Sequence, residues 1–123
     1  MGENRILARE KLLYAREFLV NKFLSEIYEI ILDDDRPILT IKFRKGFILH
    51  IRYNDFGEYS YQILFSQKKF DRVRYDNYDD KWDVASKPDH LHPRNEQDAI
   101  TSPMLGKSEK DIPLLIETIE KYL

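Results

Sequence analysis

The sequence predicts an α+β fold, with a four- to five-stranded antiparallel meander sheet and N- and C-terminal helices packed on one face. Three observations carry that expectation. Apolar residues recur at helical spacing near both ends of the chain. Between them, apolar and polar residues alternate in short runs separated by turn chemistry. Those breaks are too short for crossover helices, so neighbouring strands must pair antiparallel.

A chain of 123 residues is the size of one compact domain. Hydrophobic residues make up 42% of it, including 8 Tyr and 7 Phe, which is enough to build a core and argues against disorder. There are no cysteines, which excludes structural disulfides and thiolate metal sites. No apolar run approaches the ~20 residues of a membrane span. Met1-Gly2-Glu3-Asn4-Arg5 opens no signal-peptide pattern, so the expectation is a soluble cytoplasmic domain without a membrane partner.

Residues 1–25 supply the first helix, through a stripe of Ala8, Leu12, Ala15, Leu19 and Phe23 opposite Glu10, Glu17 and Asn21. Residues 26–77 supply the sheet. Ile27–Leu32 ends in Asp33-Asp34-Asp35-Arg36-Pro37, and Ile38–Arg44 is followed by a tight Lys45-Gly46 turn. Phe47–Tyr53 leads to Asn54-Asp55-Phe56-Gly57, and Tyr59–Ser66 leads through Gln67-Lys68-Lys69 to Phe70–Tyr75. Residues 78–107 lack periodicity and are anchored only by residues such as Trp82, Val84, Leu91, Ile100, Met104 and Leu105, which suggests a long loop or lid. Residues 108–123 form the second helix. Its buried stripe is Ile112, Leu115, Ile116, Ile119 and Leu123; Ser108 and Asp111 are the candidate caps, and Pro113 near the first turn favours Asp111.

The formal charge of −2 marks no whole-surface binder of nucleic acid. Its distribution says more. Residues 36–75 carry nine basic side chains (Arg36, Lys42, Arg44, Lys45, Arg52, Lys68, Lys69, Arg72, Arg74) against Asp55, Glu58 and Asp71, while the flanking segments are acidic. Strand alternation turns Ile41, Phe43, Phe47, Leu49, Ile51, Tyr53, Tyr59, Tyr61, Ile63, Phe65, Val73 and Tyr75 toward the helices. Lys42, Arg44, His50, Arg52, Ser60, Gln62, Arg72 and Arg74 then share the other face, with Ile48 and Leu64 among them. Such a face is either a solvated surface with cross-strand charge pairs or a seat for a phosphate backbone. Ile48 and Leu64 could instead make it a homodimer interface.

The chemistry-bearing candidates lie next to that face. In Pro88-Asp89-His90-Leu91-His92-Pro93 the flanking prolines favour an extended backbone, in which the i and i+2 imidazoles point to one side. The pair could hold turns by hydrogen bonds or act as general acid and base. With Asp76, Asp79, Asp80 or Asp89, it could also ligate a divalent metal; no other cofactor is expected. Arg74-Tyr75-Asp76-Asn77 closes the last strand where the basic face meets the acidic segment. A Gly-rich phosphate loop, a nucleophile elbow and a His-Glu-x-x-His helix are all missing, which disfavours kinase, dehydrogenase and zinc-protease readings.

Tyr59-Ser60-Tyr61-Gln62, Arg74-Tyr75-Asp76-Asn77 and, ten residues on, Pro88-x-His90-x-His92 resemble the TumE-type family of small toxin–antitoxin proteins. The resemblance covers residues 45–123 and weakens over the first helix. Two departures stand out. Tyr78-Asp79-Asp80 replaces a Pro-His-His after Asp-Asn, and Asp89 replaces the first histidine of Pro-His-His-x-His. The resemblance implies a toxin whose partner is a small helix-turn-helix-type antitoxin.

The expected function is a toxin component acting on RNA, as a metal-independent ribonuclease. Lys42, Arg44, His50, Arg52, Arg72 and Asn77 would bind the substrate. His90 and His92 would serve as base and acid for attack by the RNA's own 2′-hydroxyl, with Arg74 stabilising the phosphorane and Asp76 orienting an imidazole. The alternatives are a non-catalytic module that binds nucleic acid or protein, and a purely structural subunit.

Overall fold

The computed structural model describes residues 8–78 and 81–123. Helix α1 (Ala8–Phe23) leads into β1 (Ile27–Asp33), β2 (Ile38–Phe43), β3 (Ile48–Tyr53), β4 (Tyr59–Leu64), β5 (Arg72–Asp76), β6 (His90–His92) and β7 (Ile100–Thr101), and helix α2 (Ser108–Glu120) closes the chain. The strands form one antiparallel sheet in sequence order from β1 to β7. The class is the expected α+β, but with seven strands rather than four or five. The two additional strands arise within residues 78–107, which extend the sheet edge where a loop was expected. They have three and two residues, too few for a period-two signal.

The alternation sorts the faces as expected. The stripe Ala8, Leu12, Ala15, Leu19 and Phe23 is buried, and α1 packs on α2, β2 and β3. Ile112, Leu115 and Ile119 of α2 join the inward residues of β2 to β5 in a single core, against which Phe65, Ile116 and Leu123 are partly buried. Fully burying a Leu or Phe contributes about 1.5–3 kcal/mol relative to exposure, so truncating the wholly buried Leu19 to Ala removes about 2–5 kcal/mol.

Three details depart from the expectation. The β2–β3 connection has four residues, Arg44-Lys45-Gly46-Phe47, closed by the Phe43 N–H donating to the Phe47 carbonyl at 3.0 Å, with Gly46 at φ +110°. Arg44 therefore lies in the turn, off the strand face. Phe70 sits at φ +68° before β5 rather than within it. Asp111 does not cap α2. Lys107 occupies the cap position, and the buried Asp111 carboxylate reaches back to accept the Leu105 N–H at 2.9 Å and the Gly106 N–H at 2.7 Å. It also accepts the Tyr61 hydroxyl at 2.7 Å, which couples the end of the long segment to the sheet.

Candidate functional site

The sheet register places the candidate residues in rows across the face opposite the helices. His90 pairs with Asp76, Asp76 with Ser60, and Ser60 with Arg52. The next row runs from His92 through Arg74, Gln62 and His50 to Thr40. A third runs from Arg72 through Leu64 and Ile48 to Lys42 and Glu29. Because residues directly paired across a sheet share a face, the histidine pair and the basic strand residues form one continuous surface.

At the β5–β6 end of this surface the contacts are short and dry. His90 Nε2 lies 2.7 Å from Asp76 Oδ1, with side-chain exposures of 1% and 4%. The carboxylate lies off the direction in which Nε2 would donate, so the approach is an electrostatic contact rather than a directed hydrogen bond. The Arg74 Nε meets the other oxygen, Oδ2, at 2.6 Å in the same off-axis manner. His90 Nδ1 is 3.0 Å from the Pro88 carbonyl. His92 stands edge-on to His90, with ring centres 5.0 Å apart, and its Nε2 is buried without a partner. Burial holds the His92 pKa below the usual imidazole value, and the Arg74 charge pushes in the same direction. One ligand atom from each of Asp76, His90 and His92 falls within 4.8 Å of the other two.

Beside the cluster opens a cleft of about 260 Å³, lined by Lys69, Arg72, Arg74, Lys81, Trp82 and His92 among others. Trp82 packs edge-on to His92 with ring centres 5.2 Å apart. A second groove, of about 420 Å³, runs over the middle of the same face between Thr40, His50, Arg52, Ser60 and Gln62. Thr40 Oγ1 lies 3.0 Å from His50 Nδ1; burial lowers the His50 pKa, helped by Arg52 and Lys42.

Some candidates are occupied elsewhere. Asn77 accepts the Tyr59 N–H at 3.0 Å and donates to the Gly57 carbonyl at 3.1 Å, so its amide clamps the β3–β4 turn. Asp89 accepts the Tyr59 hydroxyl at 2.8 Å and takes no part in the cluster. Asp79 and Asp80 lie outside the described residues. Lys42 is paired with Glu29 at 3.0 Å, a partner that β1 contributes to a face whose other strands are poor in acid. Arg72 donates to Gln62, whereas exposed Arg52 forms no ion pair among the described residues. Ile48 and Leu64 pair across β3 and β4 on this face. From the sequence, Trp82 is only an apolar anchor, and Lys69 and Lys81 have no assigned role. A lysine in a turn and a tryptophan in an aperiodic segment carry no signal that they line one cleft.

These features define a small α+β protein whose sheet carries a buried carboxylate–imidazole cluster at one end of a cation-rich face. The sequence model of the family described as Toxin TumE matches residues 9–123, and the chain belongs to that family. The match includes α1, beyond the span 45–123 over which the motifs resemble the family. Membership makes the chain a toxin of a toxin–antitoxin system, with an antitoxin as its partner. No curated protein and no solved structure matches it. Among the described residues, no helix is long and apolar enough to cross a membrane.

Proposed function

We propose that this toxin acts by cleaving RNA, with the phosphodiester backbone held against the open sheet face and the chemistry located at Asp76, His90 and His92. The observation that carries the reading is the register. Cations suited to phosphates and a cluster suited to proton transfer or metal binding are neighbours on one surface, and the cleft joins them. Arg72 and Arg74 would take phosphate oxygens, and Lys69 and Lys81 would add positive charge at the cleft wall. Trp82, which lines the cleft with the Lys81 ammonium 5.0 Å from its ring centre, would stack an unstacked base, a common mode of single-stranded RNA recognition. His92 is the imidazole that borders the cleft. His90, at 1% side-chain exposure, sits behind it in a supporting position. A mechanism with both imidazoles in contact with substrate would need an opening of the cluster.

The test is incubation of the purified full-length chain with a mixed-sequence RNA, beside a His90→Ala/His92→Ala variant that retains its fold. The reading expects the wild type to fragment the RNA and the variant to leave it at least 100-fold more intact, as loss of proton-transfer or metal-held groups implies. Equal cleavage by both proteins would remove the cluster from the chemistry. Intact RNA with the wild type would overturn the reading as a whole.

A further inference from the structure

The Asp76–His90–His92 cluster contains a conflict that hydrogen bonding does not resolve. The Pro88 carbonyl can only accept, so His90 Nδ1, 3.0 Å away, carries the proton. In the neutral ring Nε2 then presents a lone pair and no proton, and the nitrogen lies 2.7 Å from a carboxylate oxygen in a site almost closed to water. Two negative poles at that distance need a cation between them. His92 repeats the pattern. Its Nε2 is buried and without a partner. A proton placed on His90 would relieve one contact and leave the His92 nitrogen orphaned. One metal ion would satisfy all three atoms.

We infer that Asp76 Oδ1, His90 Nε2 and His92 Nε2 together bind one divalent transition-metal ion of the zinc type. The Pro88 carbonyl on the far nitrogen of His90 is the outer support that metal-bound histidines use, because it fixes both tautomer and ring orientation. Arg74 gives Asp76 the equivalent support from the Oδ2 side, away from the oxygen the ion would take. Two imidazoles with one carboxylate suit zinc, iron or manganese better than magnesium, which favours an oxygen shell and retains its waters. Ligands about 2.0–2.2 Å from a shared ion stand roughly 3.0–3.5 Å apart; the Asp76 carboxylate therefore has to swing outward from His90 by about 0.5 Å, and the His92 nitrogen, within 4.8 Å of the other two ligand atoms, has to settle to the same spacing. Three protein ligands leave a coordination position open, and His92 places the ion at the border of the cleft.

The inference deepens the proposed RNA cleavage by naming what fills the cluster. With the ion bound, His92 is a ligand, and the cation rather than the imidazole faces the bound phosphate. The two claims fail separately, since a chain that binds metal and leaves RNA intact would retain this one and lose the other.

The experiment is calorimetric titration of Zn²⁺ into the chelator-stripped full-length protein at neutral pH, with the melting temperature followed in parallel. The wild type should bind one equivalent and melt higher with Zn²⁺ than with EDTA, while Mg²⁺ at the same concentration should give neither signal. His92→Gln and Asp76→Asn, each checked for wild-type near-UV circular dichroism, should weaken binding at least tenfold; His50→Gln should bind as the wild type does. Failure of the wild type to bind Zn²⁺ in a saturable manner would overturn the inference, even if both variants misfolded. Equal affinity in wild type, His92→Gln and Asp76→Asn, or an equal response to Mg²⁺, would do the same.

Discussion

Replacing Asp111 with Ala tests how the long segment is secured to the body of the protein. The carboxylate is wholly buried and accepts three hydrogen bonds, from the Leu105 and Gly106 backbone N–H groups and from the Tyr61 hydroxyl. Each bond to a charged acceptor contributes about 1.5–3 kcal/mol, and a buried donor left without a partner costs about 1–3 kcal/mol. Part of that loss is offset. Burial raises the Asp111 pKa even though its hydrogen bonds pull it down, so removing the charge relieves a desolvation cost. Tyr61 also retains a 2.8 Å contact with the Tyr53 hydroxyl. The net expectation is destabilisation by about 3 kcal/mol, in the range typical of breaking a buried polar network. With an unfolding entropy of about 2.1 cal/mol/K per residue, that lowers the melting temperature of a chain this size by about 10 °C. Urea denaturation followed by circular dichroism measures the change. A loss below about 1 kcal/mol would refute the reasoning, because it would mean that the three donors find other partners at little cost.

Gly106 has φ +82°, and a Cβ there would stand 2.9 Å from the Tyr59 ring, whereas one at Gly46, at φ +110°, would meet nothing within 4 Å. Gly106→Ala should therefore cost more than Gly46→Ala, which bears only the backbone strain of about 1–2 kcal/mol, and paired urea midpoints will rank them. The pKa values of His50 and His92 are both lowered from 6.5, chiefly by burial, so the unfolded chain binds more protons as the pH falls. Their contribution to stability is complete above pH 6.5 and declines below it; in EDTA the urea midpoint should be lower at pH 5.5 than at pH 7.5, and an equal or higher midpoint would contradict the assignment. Arg52→Glu should weaken RNA retention and flatten its salt dependence by about one to two charges, measured as the slope of log affinity against log salt between about 50 and 200 mM.

Strand alternation and turn chemistry made the helices, the first five strands and the division between core and open face legible in the sequence. The residues from Ile41 to Tyr75 read as inward are buried or partly buried without exception. The edge of the sheet was hidden because His90-Leu91-His92 and Ile100-Thr101 are too short to show a period, and their pairing depends on contacts distant in sequence. The convergence of His90 and His92 was readable from the i, i+2 rule, but the choice of Asp76 over Asp89 was not. It follows from the β5–β6 register, which sets Asp76 opposite His90, and from the Tyr59 hydroxyl, which draws Asp89 away. Asp111 looked like a cap because caps and backward-reaching first-turn carboxylates use the same residue types.

The central claim is that one sheet face both holds RNA and cleaves it, with separable residues for each task. Binding and cleavage of a single end-labelled RNA, measured side by side for the wild type, His92→Ala and Arg52→Glu, test it most directly. The account predicts that His92→Ala retains the RNA at near wild-type affinity but leaves it uncut, and that Arg52→Glu binds more weakly yet still cuts when RNA is saturating. Cleavage by His92→Ala at the wild-type rate would contradict it.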